Sequence, residues 1–149
     1  MSDTSEKKEE NRSSSTCPVT FALDTFGDKW SLLIIRDLFF KKKRYYSDFL
    51  RSPEKISTNI LANRLSKMEA AGLLSKQIDP DKSSKYIYSL TSKGKDLLPL
   101  ILEMISWSAT HDGQLAGLEH IVDGAPANLI ERFQSDRDKL LGEILAGLD

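Results

Sequence analysis

The sequence holds one cysteine, Cys17, and two histidines, His111 and His120, in 149 residues. A lone cysteine excludes an internal disulfide and points to a reducing compartment, the cytoplasm. The histidines stand nine positions apart, beyond the span of one metal-binding helix face, and with one cysteine they are a thin set for zinc. No glycine-rich phosphate loop and no nucleophile motif occurs, so the residue pattern offers no enzyme chemistry, metal or cofactor. Long apolar runs are also missing. The longest, around Leu97 to Leu102, is interrupted by Pro99 and falls far short of the roughly 20 residues that cross a bilayer. The opening "MSDTSEKKEENRSSS" has no hydrophobic segment, so residues 1–15 read as a disordered polar tail rather than a secretory signal.

The charge is distributed unevenly. From Lys29 to Lys95 there are fifteen Lys and Arg against six Asp and Glu, a net of +9, while the remainder carries six against sixteen, a net of −10. The total of −1 therefore conceals a basic block of the kind a polyanion attracts. Local fluctuation of charge is the plainer explanation, and the order of elements in that block decides between them.

Cys17-Pro18 can open a short helix that Gly27 ends. A second helix from Asp28 to Phe39 or Phe40 carries Trp30, Leu33, Ile34 and Leu38 at helical spacing. Ser47 is a candidate N-cap for a short third helix, "SDFLRS", and Ser57 for a fourth, "STNILANRLSKMEAAG", which stops at Gly72. Two helices joined by a short turn form a helix-turn-helix pattern. Leu73 to Ile78 and Tyr86 to Leu90 read as strands around the loop "DPDKSSK", which makes a wing. Thr91 caps a long apolar helix from Ser92 to about His111, and a polar link leads to a last helix with Ile130, Phe133, Leu140 and Ile144. The expected fold is mainly α with a small antiparallel β wing. Residues 16–112 form the winged helix-turn-helix and its dimerisation helix, and 113–149 form a linker and C-terminal helix.

Taken in order, "CPVTFALDTFGDKWSLLIIRDLFF", "RYYSDFLRS", "ISTNILANRLSKMEAAGLL" and "YIYSLTSKGKDLLPLI" resemble the HxlR-type winged-helix transcriptional regulators over roughly residues 16 to 110. The resemblance implies a bacterial DNA-binding regulator, read here as a repressor, that acts on a palindromic operator as a homodimer. Two departures stand out. Family members usually have a glycine in the turn after the second helix, where this chain has Lys41, Lys42 and Lys43, and the chain runs nearly forty residues past Asp112.

A helical wheel of the fourth helix puts Ile60, Leu61, Leu65 and Met68 on one face and Asn59, Ala62, Asn63 and Ser66 opposite, with Thr58 and Lys67 at the edges. Asparagine can bond adenine bidentately and a small alanine can meet a thymine methyl, so Thr58, Asn59, Ala62 and Asn63 are the base-reading candidates. Arg64 falls beside the apolar stripe, which favours an ion pair within the fold or a phosphate contact. Ser47, Ser57, Lys67, Lys82, Ser84 and Lys85 are the backbone-contact candidates. Without the winged-helix context the same residues would be an ordinary solvated face. The cation run Lys41 to Lys43 lies at the far end of the segment leading to the third helix, where it caps a helix end and adds long-range field.

Leu97, Leu98, Ile101, Met104 and Ile105 are the expected dimer contacts, because a helix apolar almost all round exceeds what one small domain can cover. Cover by the C-terminal helix within one chain is the competing arrangement. Cys17, at a helix N-terminus where a thiol pKa falls, is the candidate redox sensor, and some relatives in the family use a cysteine at the matching position to sense oxidants or electrophiles. Its bland role is as a small packing residue. Two further readings are a small-molecule effector held between the central helices and the dimer helix, and a winged-helix module that binds protein instead of DNA.

Overall fold

The computed structural model describes residues 16–42, 44–115 and 122–148. The polar tail and part of the link to the C-terminal helix, including His120, lie outside them. Pro18 opens helix α1 (Pro18–Phe26), and Asp28 caps α2 (Lys29–Phe40) by accepting from Ser31 N at 3.1 Å and Ser31 Oγ at 2.6 Å. Helix α3 (Tyr46–Phe49) starts one residue before the expected cap. Ser47 lies inside it, and Asp48 Oδ2 instead accepts from Tyr45 N at 3.1 Å, since a carboxylate can reach back to the free amides of the first turn. Ser57 caps α4 (Thr58–Ala70) as expected, accepting from Ile60 N at 3.3 Å.

Strands β1 (Leu74–Ile78) and β2 (Tyr86–Leu90) pair antiparallel from Leu74↔Leu90 to Ile78↔Tyr86, forming the wing. "RYY" forms no strand, but the Arg44 carbonyl accepts from Tyr88 N at 2.8 Å and ties the segment to β2. A Cβ on Gly94 would lie 2.2 Å from the Leu73 carbonyl oxygen, so a bare backbone is required where the next helix meets the wing's root.

Two long helices expected from periodicity are each broken. The segment after Thr91 divides into α5 (Ser92–Lys95) and α6 (Leu98–His111), because Pro99 has no N–H for the Lys95 carbonyl and its ring crowds the preceding turn. The C-terminal segment divides into α7 (Leu129–Ser135) and α8 (Arg137–Ala146) at Asp136, which leaves helical geometry (φ −146°, ψ 76°) and caps α8 by accepting from Lys139 N at 3.3 Å. The spacing of seven from Phe133 to Leu140 therefore crosses a corner.

One core joins these elements. Ile34, Ile35, Leu38, Phe39 and Phe40 of α2 meet Leu61, Leu65 and Met68 of α4, Leu98, Ile101 and Leu102 of α6, and Phe133, Leu140 and Ile144 of α7 and α8. Leu98 and Ile101, expected at a dimer surface, are 0% and 4% exposed inside the chain's own core. Their side of α6 faces α2 and α7. Leu97 and Ile105 are half-buried, and Met104 is exposed.

A polar network crosses this core. Asp37, 2% exposed, accepts from Ser52 Oγ at 2.6 Å and from Arg36 Nη2 at 2.8 Å, and Arg36 also pairs with Glu54. It fixes α2 to the turn after α3, whose Lys55 is left-handed at φ 58°. The Arg36 guanidinium holds the Glu54 carboxyl at about 2, below its ordinary 4.5. A carboxyl pKa depressed on folding adds stability that is complete above the unfolded value and lost as pH falls through the folded one. Unfolding free energy should therefore drop by about 2 kcal/mol between pH 5 and pH 2, after allowance for partial exposure. Glu54→Gln should flatten that drop, and equal pH slopes in the two proteins would contradict this role for the pair.

The cation run has a specific shape. Lys41 turns back onto Asp37, 3.9 Å away, and Lys42 takes the left-handed conformation at φ 51°, which costs about 1 kcal/mol for a residue with a Cβ. The turn is fixed from outside by Gly124 (φ 82°), where a Cβ would lie 2.1 Å from the Phe40 carbonyl oxygen.

Candidate nucleic-acid interface

Helix α4 buries Leu61, Leu65 and Met68 and exposes Thr58, Asn59, Ala62, Asn63, Ser66 and Lys67, as its wheel predicts. Ile60 packs half-buried against the core. The orientation of α4 is held by polar contacts at its flanks. Arg64 Nε donates to Asp28 Oδ2 at 2.8 Å, which ties α4 to the cap of α2 and places Arg64 in an ion pair within the fold. Tyr46 Oη donates to the Thr58 carbonyl at 2.9 Å, which links α3 to the first turn of α4. The Asn63 side-chain oxygen accepts from Arg64 Nη1, and its NH₂ is the side chain's donor group.

The wing loop carries an interaction that sequence reasoning missed. Tyr45 Oη donates to Asp79, a carboxylate 3% exposed that also accepts from Asp81 N at 2.9 Å. This hydrogen bond raises the Tyr45 pKa and lowers that of Asp79, as a phenol donating to a carboxylate must. The ammonium groups of Lys82 and Lys85 lie 5.9 and 5.1 Å from the centre of the Tyr45 ring, within cation–π range. The signal available in the sequence was the Asp-Pro-Asp turn, which marks an Asx-type loop but not the tyrosine 34 positions earlier.

Ser47, Ser84 and Lys85 line one groove of about 350 Å³ with Tyr45, Tyr46 and Tyr86, between the start of α3 and the wing. Of the other backbone-contact candidates, Lys82 is at the wing loop, Ser57 at the start of α4 and Lys67 near its end; all are exposed. Tyr45→Phe should keep the fold yet free the wing. Amide exchange across Asp79 to Lys85 should accelerate at least several-fold, consistent with loss of a hydrogen bond to a charged group, and unchanged exchange there would contradict the lock.

Cys17 is exposed at the start of α1. The amides of Thr20 and Val19 and the Thr20 side chain lower its thiol pKa.

A helix-turn-helix with its polar recognition face outward, a two-stranded wing beside it and flanking helices in a shared core define a winged-helix DNA-binding regulator. The sequence pattern of the HxlR-like helix-turn-helix family matches residues 25–115, and the chain belongs to that family. It is 33% identical over 107 residues to YybR of Bacillus subtilis, an uncharacterized HTH-type transcriptional regulator, covering 72% of this chain and 85% of YybR. Its fold is similar to that of the redox regulator HypR in its oxidized form, at TM-score 0.57 and 29% identity, covering 64% of this chain and 97% of HypR. It is also similar to diamide-treated YodB from B. subtilis, at TM-score 0.51 and 30% identity, covering 64% of this chain and 94% of YodB. The protein is a DNA-binding transcriptional regulator. Among the described residues no helix is long and apolar enough to cross a membrane.

Proposed function

We propose that the protein reads a palindromic operator as a homodimer, with Thr58, Asn59, Ala62 and Asn63 at the bases and Ser47, Ser57, Lys67, Lys82, Ser84 and Lys85 at the phosphates. The observation that carries this reading is the exposed polar face of α4 together with the groove in which Ser47 at the start of α3 meets Ser84 and Lys85 of the wing. Phosphate contacts set position and base contacts set sequence, so the two groups respond differently to mutation. Asn63→Ala should weaken binding to the selected site by about 1–3 kcal/mol. Lys85→Ala should weaken binding to all sequences and reduce the salt slope by about 1. Equal losses on operator and random DNA in both variants would sink the division.

The dimer face follows from what the chain leaves uncovered. Leu97, Leu100, Met104 and Trp107 follow one another at spacings of three, four and three along one stripe of α6, and Leu100, Met104 and Trp107 are 38%, 45% and 67% exposed. Helix α1 buries no residue and exposes Val19, Phe21 and Leu23 by 58–65%. Isolated helices this short are unstable in water, so α1 requires a partner surface, and a second copy supplies one. A two-fold dimer would present two α4 helices to half-sites about 34–36 Å apart. Trp107→Glu should yield a folded monomer by light scattering at micromolar concentration. A monomeric wild type under those conditions would contradict the dimer.

Cys17 lies on the same helix, so oxidation or alkylation of its lowered-pKa thiol would act at this interface. The redox character of HypR and the diamide treatment of YodB support the reading. Diamide should lower operator affinity of the wild type and leave Cys17→Ser unaffected; identical responses would exclude the thiol as sensor.

A further inference from the structure

A second cavity, of about 310 Å³, lies at the base of the wing. Lys42 from the turn after α2, Arg44 from the segment tied to β2 and Lys95 from α5 converge on it, and Ser89 adds a hydroxyl. Leu38 and Leu148 supply apolar walls, so α2, the wing and the end of the C-terminal helix all border the same space. No acidic side chain is among its described lining residues. Three cations from separate parts of the chain around one concavity focus positive potential in it. Lys42 is the informative member. Its left-handed backbone (φ 51°) would be relaxed with glycine, so this lysine sets a cation at the cavity wall at a cost in local strain.

We propose that this cavity binds a small multivalent anion, bearing phosphate or several carboxylates, as an effector of the regulator. The cavity and the DNA surface share a strand. The Arg44 carbonyl receives the amide of Tyr88, next to Ser89 of the cavity, and Arg44 precedes Tyr45, whose hydroxyl holds the wing through Asp79. An anion that draws Lys42, Arg44 and Lys95 together therefore acts on the segment that orients Lys82 and Lys85. This regulatory consequence rests on the DNA-binding reading above, whereas occupancy of the cavity does not.

The binding arm is measured without DNA. Full-length protein is titrated with inorganic phosphate and with citrate against sodium chloride at equal ionic strength, following the melting temperature and the backbone amides of Arg44, Ser89 and Lys95 by NMR. The expected result is a saturable shift of those amides and a rise in melting temperature beyond the chloride control. A stronger response to citrate assigns a carboxylate effector, and a stronger response to phosphate a phosphorylated one. Lys42→Gly should fold at least as stably in chloride, because glycine relaxes the left-handed turn, yet need at least ten times more anion. Identical titrations of wild type and Lys42→Gly, or no saturable shift, would overturn the proposal. Short duplex DNA shifting the same amides in place of the anion would also overturn it, by making the cavity part of the DNA track. In the second arm, saturating citrate should change the DNA affinity of the wild type at least threefold more than that of Lys42→Gly. Equal changes would remove the effector role while leaving the binding result intact.

Discussion

Ala62→Glu should abolish operator binding while leaving the fold and the dimer intact. Ala62 is exposed near the middle of α4, opposite Leu61, Leu65 and Met68, and glutamate is nearly as good a helix former as alanine, so the substitution has no packing to disturb. What changes is the charge presented to DNA. A carboxylate directed into a groove flanked by phosphates is opposed by several kcal/mol, equivalent to at least about a 100-fold loss of affinity. Circular dichroism and light scattering should match the wild type. Retention of operator affinity within a few-fold would mean that another face of the molecule meets the DNA.

Asp37→Ala should cost about 3 kcal/mol, the lower end of the range for removing one member of a buried ion pair, because Arg36 keeps its pairing with Glu54. The carboxylate is 2% exposed, and its loss removes the acceptor of the Ser52 hydroxyl and one of the two carboxylates facing the Arg36 guanidinium. Because the network joins α2 to the turn before α4, the loss reaches the element that carries the proposed base-reading residues. Chemical denaturation should show a much lower midpoint. A variant within about 1 kcal/mol of wild type would mean that the site relaxes around solvent instead of holding a buried charge. Asp37→Asn is the milder comparison, since an amide keeps an acceptor for Ser52.

The elements that carry the recognition face were legible because their signals are local. The caps at Ser57 and Thr91, the helix start near Asp28, the stop at Gly72 and the aromatic and branched residues of "YIYSL" depend on residues within one turn or one strand, and each stands where expected. The α4 wheel placed Asn59, Ala62 and Asn63 on the exposed face, with Thr58 at its edge, for the same reason. Periodicity failed where it could not register a break. Pro99 sits at a position that can either start a helix or kink one, and the Phe133–Leu140 spacing fits a straight helix as well as two meeting at a corner. It also reports that a residue is apolar without saying what covers it, which is why Leu98 and Ile101 were expected at a dimer surface and lie instead in the chain's own core. The Tyr45–Asp79 and Asp37–Ser52 contacts join side chains 34 and 15 positions apart, and no local pattern encodes such pairs.

The central claim is that α4, the start of α3 and the wing together hold DNA in a sequence-dependent way. The most direct test is selection of binding sites by the full-length protein from a random DNA pool. The account predicts an enriched palindrome with half-sites about 10 base pairs apart, centre to centre, lost from the pool when Ala62→Glu is used in place of wild type. Recovery of no enriched sequence, or of the same palindrome with Ala62→Glu, would contradict it.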